Sequence, residues 1–168
     1  MLILLLAIAV AAADQATKEW VRLSFDLHGS VPVLPGFFNL TYVRNTGAAW
    51  GLLGGLNHWL VVLSLLMLAV LVVFRRAFHG GRTLHRVALG LMLGGIVGNL
   101  MDRMRHGYVI DFLDFRLGSR AFPAFNVADA AITIGVGLYL LGAAREERRA
   151  RTRAARDAKA GDAPPAGA

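Results

Sequence analysis

The sequence predicts an all-α membrane protein with four transmembrane helices. Hydrophobic residues make up 56% of the 168-residue chain and charged residues 17%, and the mean hydropathy is +0.53. Soluble domains of this size are more polar, so composition places the chain in lipid. Four apolar stretches also approach the roughly 20 residues that an α-helix needs to cross a bilayer. They lie at about 2–21, 56–74, 84–101 and 127–144.

The first apolar stretch has two interpretations. Three alanines at 11–13 follow the apolar run, as at the cleavage site of a secretory signal peptide. However, no basic residue precedes the run, and Asp14, Lys18 and Arg22 continue with helical spacing beyond it. This pattern favours a helix that is retained in the mature protein.

Basic residues predict the orientation of the four helices. The segment 75–86 carries four arginines and no acid, and the segment after residue 144 is also net basic. Such clusters beside apolar spans mark cytoplasmic segments. We therefore predict both termini in the cytoplasm, and residues 22–55 and 104–125 on the outer side.

The net charge of +7 does not indicate a nucleic-acid partner, because most of the basic residues flank apolar spans. The organisation predicted is one transmembrane domain over residues 1–144 and a basic, disordered cytoplasmic tail over 145–168. A contact of this tail with anionic lipid or RNA stays open as an alternative.

The first outer segment is more than a linker. Between residues 31 and 43 it is rich in β-branched and aromatic residues, with proline and glycine between them. This composition predicts short strands and turns on the membrane surface.

Polar residues near the outer ends of the helices are the candidates for function, because polar groups near a bilayer are costly. Asp14 and Lys18 are four apart on one helix face and can form an ion pair, either structural or functional. Asn45, followed by Thr46 and Gly47, suits a tight turn with its amide side chain free to bind. Taken alone, these three residues predict only a turn.

The third apolar stretch combines packing with polarity. Gly90, Gly94 and Gly98 are four apart, a spacing that lets a neighbouring helix approach closely. Asn99 and Arg103 are also four apart, and both can point into a polar cleft.

Aspartates supply the only plausible reactive groups. Apolar residues flank Asp111 and Asp114, and Asp129 lies in the first turn of the last helix, after Asn126. Asp129 and Asn126 also have a purely structural interpretation, as a residue that complements the helix dipole and an N-cap. Two aspartates that meet can share one proton, so that one acts as base and the other as acid in hydrolysis. These patterns do not decide between Asp111 and Asp114.

Other kinds of site are poorly supported. The absence of cysteine excludes disulfides, thiolate metal sites and a cysteine nucleophile, and no histidine spacing matches a zinc motif. A transporter should show inverted repeats, which are not visible. A metal-dependent lipid transferase that recruits Asp102, Asp111 and Asp114 stays open, and a non-catalytic scaffold would leave the aspartates unexplained.

Five motifs in order resemble the signal peptidase II family, the lipoprotein signal peptidases, over nearly all of residues 2–144. Each motif is weak alone, but their order between four apolar stretches is specific. They are Asp14-Gln15-x-x-Lys18, Asn45-Thr46-Gly47-Ala48-Ala49, Gly98-Asn99-Leu100-x-Asp102-Arg103, Val109-Ile110-Asp111-Phe112 and Phe125-Asn126-Val127-Ala128-Asp129.

The resemblance implies an aspartyl endopeptidase of the bacterial inner membrane. It would remove the signal peptide of diacylglyceryl-modified prolipoproteins, cutting before the lipidated cysteine, with no metal or other cofactor. Its partners would be these substrates and membrane lipids.

Matching motif to motif, Asp111 and Asp129 would be catalytic, near the outer face of the membrane. The resemblance further implies a small β-cradle on the outer surface. The residues implied to bind substrate or support the site are Asn45, Gly47, Asn99, Arg103, Asn126, Asp14 and Lys18. We also expect a flap near residues 44–55.

Overall fold

The computed structural model describes residues 1–47, 55–75, 83–118 and 120–161. Its elements, in chain order, are α1 (Leu2–Ser24), β1 (Ser30–Leu34), β2 (Phe38–Asn45), α2 (Asn57–Val73), α3 (Thr83–His106), β3 (Val109–Leu117), β4 (Arg120–Ala121) and α4 (Val127–Gly161). The fold is mostly helical with a small antiparallel sheet. The four helices begin close to where the apolar stretches predict them, because each stretch must satisfy its own backbone in lipid.

Two of the described helices are long and apolar enough to cross a membrane, namely Thr83–His106 and the part of α4 over Val127–Ala154. The apolar helix α2 has 17 residues, which span about 26 Å at 1.5 Å per residue and fall slightly short of a bilayer core. Charged Asp14, Lys18 and Glu19 interrupt the second half of α1. Crossing by all four helices therefore stays a prediction.

Helix α3 packs against the other three helices, and its glycines permit the closest approaches. A Cβ atom on Gly90 would lie 2.8 Å from Leu6 Cβ, and one on Gly94 would lie 2.7 Å from the carbonyl oxygen of Ala7. Real side chains do not tolerate such distances, so α1 can lie this close only against glycine. The predicted packing role of these glycines is confirmed.

The sheet has the order β1-β2-β3-β4, with neighbours antiparallel. Strands β1 and β2 confirm the prediction for residues 31–43. Strands β3 and β4 come from the second outer segment and were not predicted. The reason is that β3 is buried on both faces along Val109–Phe112, so it lacks the alternation that marks a half-exposed strand. Its pairing with β2 places Asp111 opposite Val43.

The prediction of a disordered tail from residue 145 is wrong as far as Gly161, where α4 ends. Alanine, arginine and glutamate in this segment are strong helix formers. Glu147 and Arg151, one turn apart, also form an ion pair of 2.5 Å. These local preferences extend the helix beyond its apolar part.

Candidate active site

Asp111 lies in the middle of the site, on β3. Only 2% of it is exposed. One carboxyl oxygen, Oδ2, accepts a hydrogen bond of 2.9 Å from the Asn45 amide on β2. The other, Oδ1, accepts one of 2.7 Å from the Asn126 amide before α4. The sheet and the start of α4 therefore hold this carboxyl group from two sides.

Asp129 lies in the first turn of α4. Its backbone N–H donates to Asn126 Oδ1 (3.0 Å), and the Asn126 backbone N–H donates to Asp129 Oδ2 (3.3 Å). This reciprocal pair is a capping box, so Asn126 is the N-cap that the sequence predicts, and one carboxyl oxygen of Asp129 contacts the cap. Asp129 Oδ1 remains available to the site and accepts a bond of 2.7 Å from the Asn99 amide on α3.

The two aspartates line one cavity of about 860 Å³. Asn45, Gly47, Asn99 and Arg103 also line it, which brings together most of the residues implied by the resemblance. The backbone N–H of Gly47 donates to Asn45 Oδ1 (3.0 Å) and holds that amide in an Asx turn. Of the expected flap, residues 48–54 lie outside the described residues.

Two apolar surfaces complete the cavity wall. One is the connection from β4 to α4, and the other is the face of α4 that follows Asp129. Neither was expected from the sequence to line the site. They comprise Phe122, Pro123, Ala124 and Phe125, and Ala130, Ile132, Thr133 and Ile134.

Asp114 lies on the other face of β3, since residues three apart in a strand point to opposite sides. Its Oδ2 accepts hydrogen bonds from Arg116 Nε (2.9 Å) and Asn39 Nδ2 (3.2 Å). It does not line the cavity described above. The geometry therefore favours Asp111, a choice that the residue pattern alone had left open.

Burial raises the pKa of Asp111 from its ordinary value of 3.8 to about 7, and the negative charge of Asp129 adds to this rise. The hydrogen bonds from Asn45 and Asn126 and the charge of Lys18 oppose it. A carboxyl group with this pKa holds a proton for about half of the time at neutral pH, as an acid or base in hydrolysis requires.

The raised pKa predicts how Asp111 affects stability. Between about pH 4 and pH 7 the folded protein binds this proton more tightly than the unfolded chain, so stability falls as the pH rises. Asp111→Asn removes the charge. We expect its Tm in detergent to exceed that of the wild type at pH 8 by roughly 2–4 °C or more, and this gain to shrink toward pH 5. A gain that is equal at both pH values would contradict the assignment.

A buried ion cluster lies beside the two aspartates. The predicted pair is confirmed, with Lys18 Nζ 2.9 Å from Asp14 Oδ2. Lys18 Nζ also lies 3.0 Å from Asp102 Oδ2 and donates to Asn99 Oδ1 at 2.8 Å. Asp102 was not among the predicted site residues. Its position three residues after Asn99, on the same helix face, was the signal that could have identified it.

The three aspartates that a metal-dependent transferase would recruit each have different partners. Asp102 pairs with Lys18, Asp114 with Arg116, and Asp111 with two amides. Within the described part of the chain, no group of three or more His, Asp or Glu side chains is arranged to hold a metal ion.

The chain is similar to known proteins over most of its length. A family described as signal peptidase (SPase) II matches residues 6–145. The lipoprotein signal peptidase of Shewanella loihica is 45% identical over 146 residues, covering 84% of this chain and 85% of the relative. That of Symbiobacterium thermophilum is 44% identical over 149 residues, covering 89% and 98%. That of Moorella thermoacetica is 47% identical over 133 residues, covering 79% and 86%.

Solved structures are similar as well. One, described as a bacterial membrane enzyme, superposes with a TM-score of 0.78 at 35% identity and covers 86% of this chain and 88% of its own. A second with the same description gives a TM-score of 0.73 at 36% identity, covering 83% and 90%.

Proposed function

Because this chain belongs to the signal peptidase II family, we propose that Asp111 and Asp129 are the carboxyl pair with which it cuts its substrates. The protein is a bacterial integral membrane enzyme, an aspartyl endopeptidase that removes signal peptides from prolipoproteins. The catalytic residues, the position of the cut and the topology in the membrane are the parts that we propose.

The proposal rests on one observation. Asp111 and Asp129 line the same cavity, and the amide groups of three asparagines donate hydrogen bonds to their carboxyl groups. Asn45 and Asn126 donate to Asp111, and Asn99 donates to Asp129. These donors direct the carboxyl oxygens before substrate arrives. Preorganised polar groups of this kind contribute strongly to catalysis in sites that exclude water.

The chemistry follows from one shared proton. The ionised aspartate takes a proton from water, and the resulting hydroxyl adds to the carbonyl carbon of the scissile peptide bond. The protonated aspartate then gives its proton to the leaving nitrogen, and the C–N bond breaks. The products are a carboxylic acid and an amine, and the pair again holds one proton.

The walls of the cavity suit a lipid-modified peptide. Ile134, at 55% exposure, connects the cavity to the outer apolar face of α4, from which acyl chains can extend into lipid. Polar Asn45 and Arg103 line the same cavity as the two aspartates, where an unwound peptide backbone needs hydrogen-bond partners. We propose that the cut falls directly before the lipidated cysteine.

The proposed topology places the site near the outer face of the inner membrane. The segment 75–86 and the end of α4 carry the basic clusters, and the positive-inside rule assigns them to the cytoplasm. The sheet and the cavity lie at the opposite ends of α3 and α4. Both termini are then cytoplasmic.

The function is tested with purified protein in detergent and a synthetic prolipoprotein, with or without diacylglycerol on its cysteine. We expect product masses that correspond to a cut before the cysteine in the lipidated substrate alone, at the same rate with EDTA. Equal cleavage of the unlipidated peptide would refute the proposed substrate. Loss of cleavage in EDTA, with recovery on adding Mg²⁺ or Zn²⁺, would refute the two-aspartate chemistry.

A further inference from the structure

Asp14, Lys18 and Asp102 form a buried ion cluster that makes no part of the cavity wall. Lys18 Nζ lies 2.9 Å from one carboxylate and 3.0 Å from the other. Ions removed from water need such close partners, because desolvation alone costs several kcal/mol per ion. A cluster with so high a desolvation cost is expected to have a specific role in the structure.

Each aspartate of the cluster binds the backbone directly before one of the reacting aspartates. Asp102 Oδ2 accepts a hydrogen bond of 3.0 Å from the N–H of Ile110, the residue before Asp111. Asp14 Oδ1 accepts one of 2.9 Å from the N–H of Ala128, the residue before Asp129. Lys18 therefore links Asp102, which binds β3, to Asp14, which binds the first turn of α4.

Lys18 also orients one of the amides of the site. It donates to Asn99 Oδ1 at 2.8 Å, which leaves the Asn99 NH₂ group directed at Asp129 Oδ1, 2.7 Å away. If the amide turned over, its NH₂ group would face the Lys18 ammonium, and two donors would oppose each other. The cluster thus acts on both carboxyl groups through separate contacts.

The chain leaves space for this arrangement. A Cβ atom on Gly98 would lie 2.5 Å from Asp14 Oδ2, so the carboxylate of α1 can reach this place only beside glycine. The Gln15 amide also donates a hydrogen bond of 2.8 Å to Asp102 Oδ1, the carboxyl oxygen that does not bind the Ile110 N–H.

We propose that Asp14, Lys18 and Asp102 are positioning residues that set the separation and orientation of Asp111 and Asp129. This inference rests on the proposed function, because it needs that pair to be the reacting one. The alternative is that the cluster only stabilises the packing of α1, α3 and α4.

The experiment compares Lys18→Met with Arg22→Met, a charge removal one turn further along α1. Arg22 is exposed and pairs with Glu19 at 2.6 Å. For each variant, kcat and KM on the lipidated substrate are measured per folded molecule, taken as the monodisperse fraction in size-exclusion chromatography. Asp111→Asn is measured in the same series.

For Lys18→Met we expect kcat to fall about 100-fold, the loss that a displacement of about 1 Å can cause, with KM changed less than about threefold. Arg22→Met should stay within about twofold of the wild type. Because the Lys18 charge opposes the raised pKa of Asp111, the acid limb of the pH–rate profile should move to higher pH. A merely structural role would lower the folded yield and leave the kcat and pH profile of the surviving molecules unchanged.

If Lys18→Met yields no folded protein, Asp102→Asn and Asp102→Leu decide the question. Asparagine is isosteric and can still accept from the Ile110 N–H, whereas leucine cannot. We expect kcat to fall at least about tenfold for asparagine and further for leucine. Wild-type kcat in both would overturn the inference.

If Asp111→Asn also cleaves normally, the proposed function fails. If only the cluster variants cleave normally, this inference alone fails.

Discussion

Asparagine in place of Asp111 or Asp129 is expected to lower kcat by about 10³-fold or more while the protein stays folded. Loss of a general acid or base costs about 10²–10⁴-fold, and a shared proton makes each aspartate depend on the other. Folding should survive in Asp129→Asn because the asparagine oxygen can still accept from the Asn126 backbone N–H in the capping box. The measurement is single-turnover cleavage of the lipidated substrate, with near-UV circular dichroism to confirm folding.

Asp114→Asn is the matched control, because it makes the same chemical change on the same strand. Asp114 faces away from the cavity, and its partners are Arg116 and Asn39. We expect its kcat to stay within about twofold of the wild type, even if the lost ion pair lowers Tm. If Asp114→Asn abolished cleavage and Asp111→Asn retained it, Asp114 and not Asp111 would be the reacting aspartate.

The second large effect is expected at Asn126, which is fully buried. Its side chain donates to Asp111 Oδ1 and accepts from the Asp129 backbone N–H, so it links the carboxyl group of Asp111 to the first turn of α4, which carries Asp129. Removing one preorganised donor from an active site costs about 10²–10³-fold in kcat. We therefore expect Asn126→Ala to lose about 10²-fold or more in kcat.

Serine separates the two roles of Asn126. Asn126→Ser keeps an oxygen that can cap α4 but is too short to donate to Asp111, whereas Asn126→Ala loses both contacts. Serine should therefore match alanine in lost kcat and yet unfold closer to the wild type, with alanine about 1 kcal/mol less stable. If serine restored kcat along with stability, Asn126 would act only as a helix cap.

Much of the architecture was predictable because it depends on local patterns. Apolar runs of near-spanning length located the four helices, and the four-residue spacing of Asp14 and Lys18 predicted their ion pair. Asn126 and Asp129 were predictable as residues at the start of a helix, since capping follows from the neighbouring backbone alone. The motifs that resemble the signal peptidase II family supplied the order of the site residues along the chain.

Tertiary contacts decided how these parts meet. Strand β3 is buried on both faces and lacks a period-2 pattern, so only its pairing with β2 shows that Asp111 faces the cavity and Asp114 faces away. Asp102 lies in one of the five motifs, but only the folded structure shows that it contacts Lys18, 84 positions earlier in the chain. The local pattern of a chain determines its helices and caps over a few residues. Which carboxyl groups share a cavity depends instead on contacts between distant segments, whose register no local period encodes.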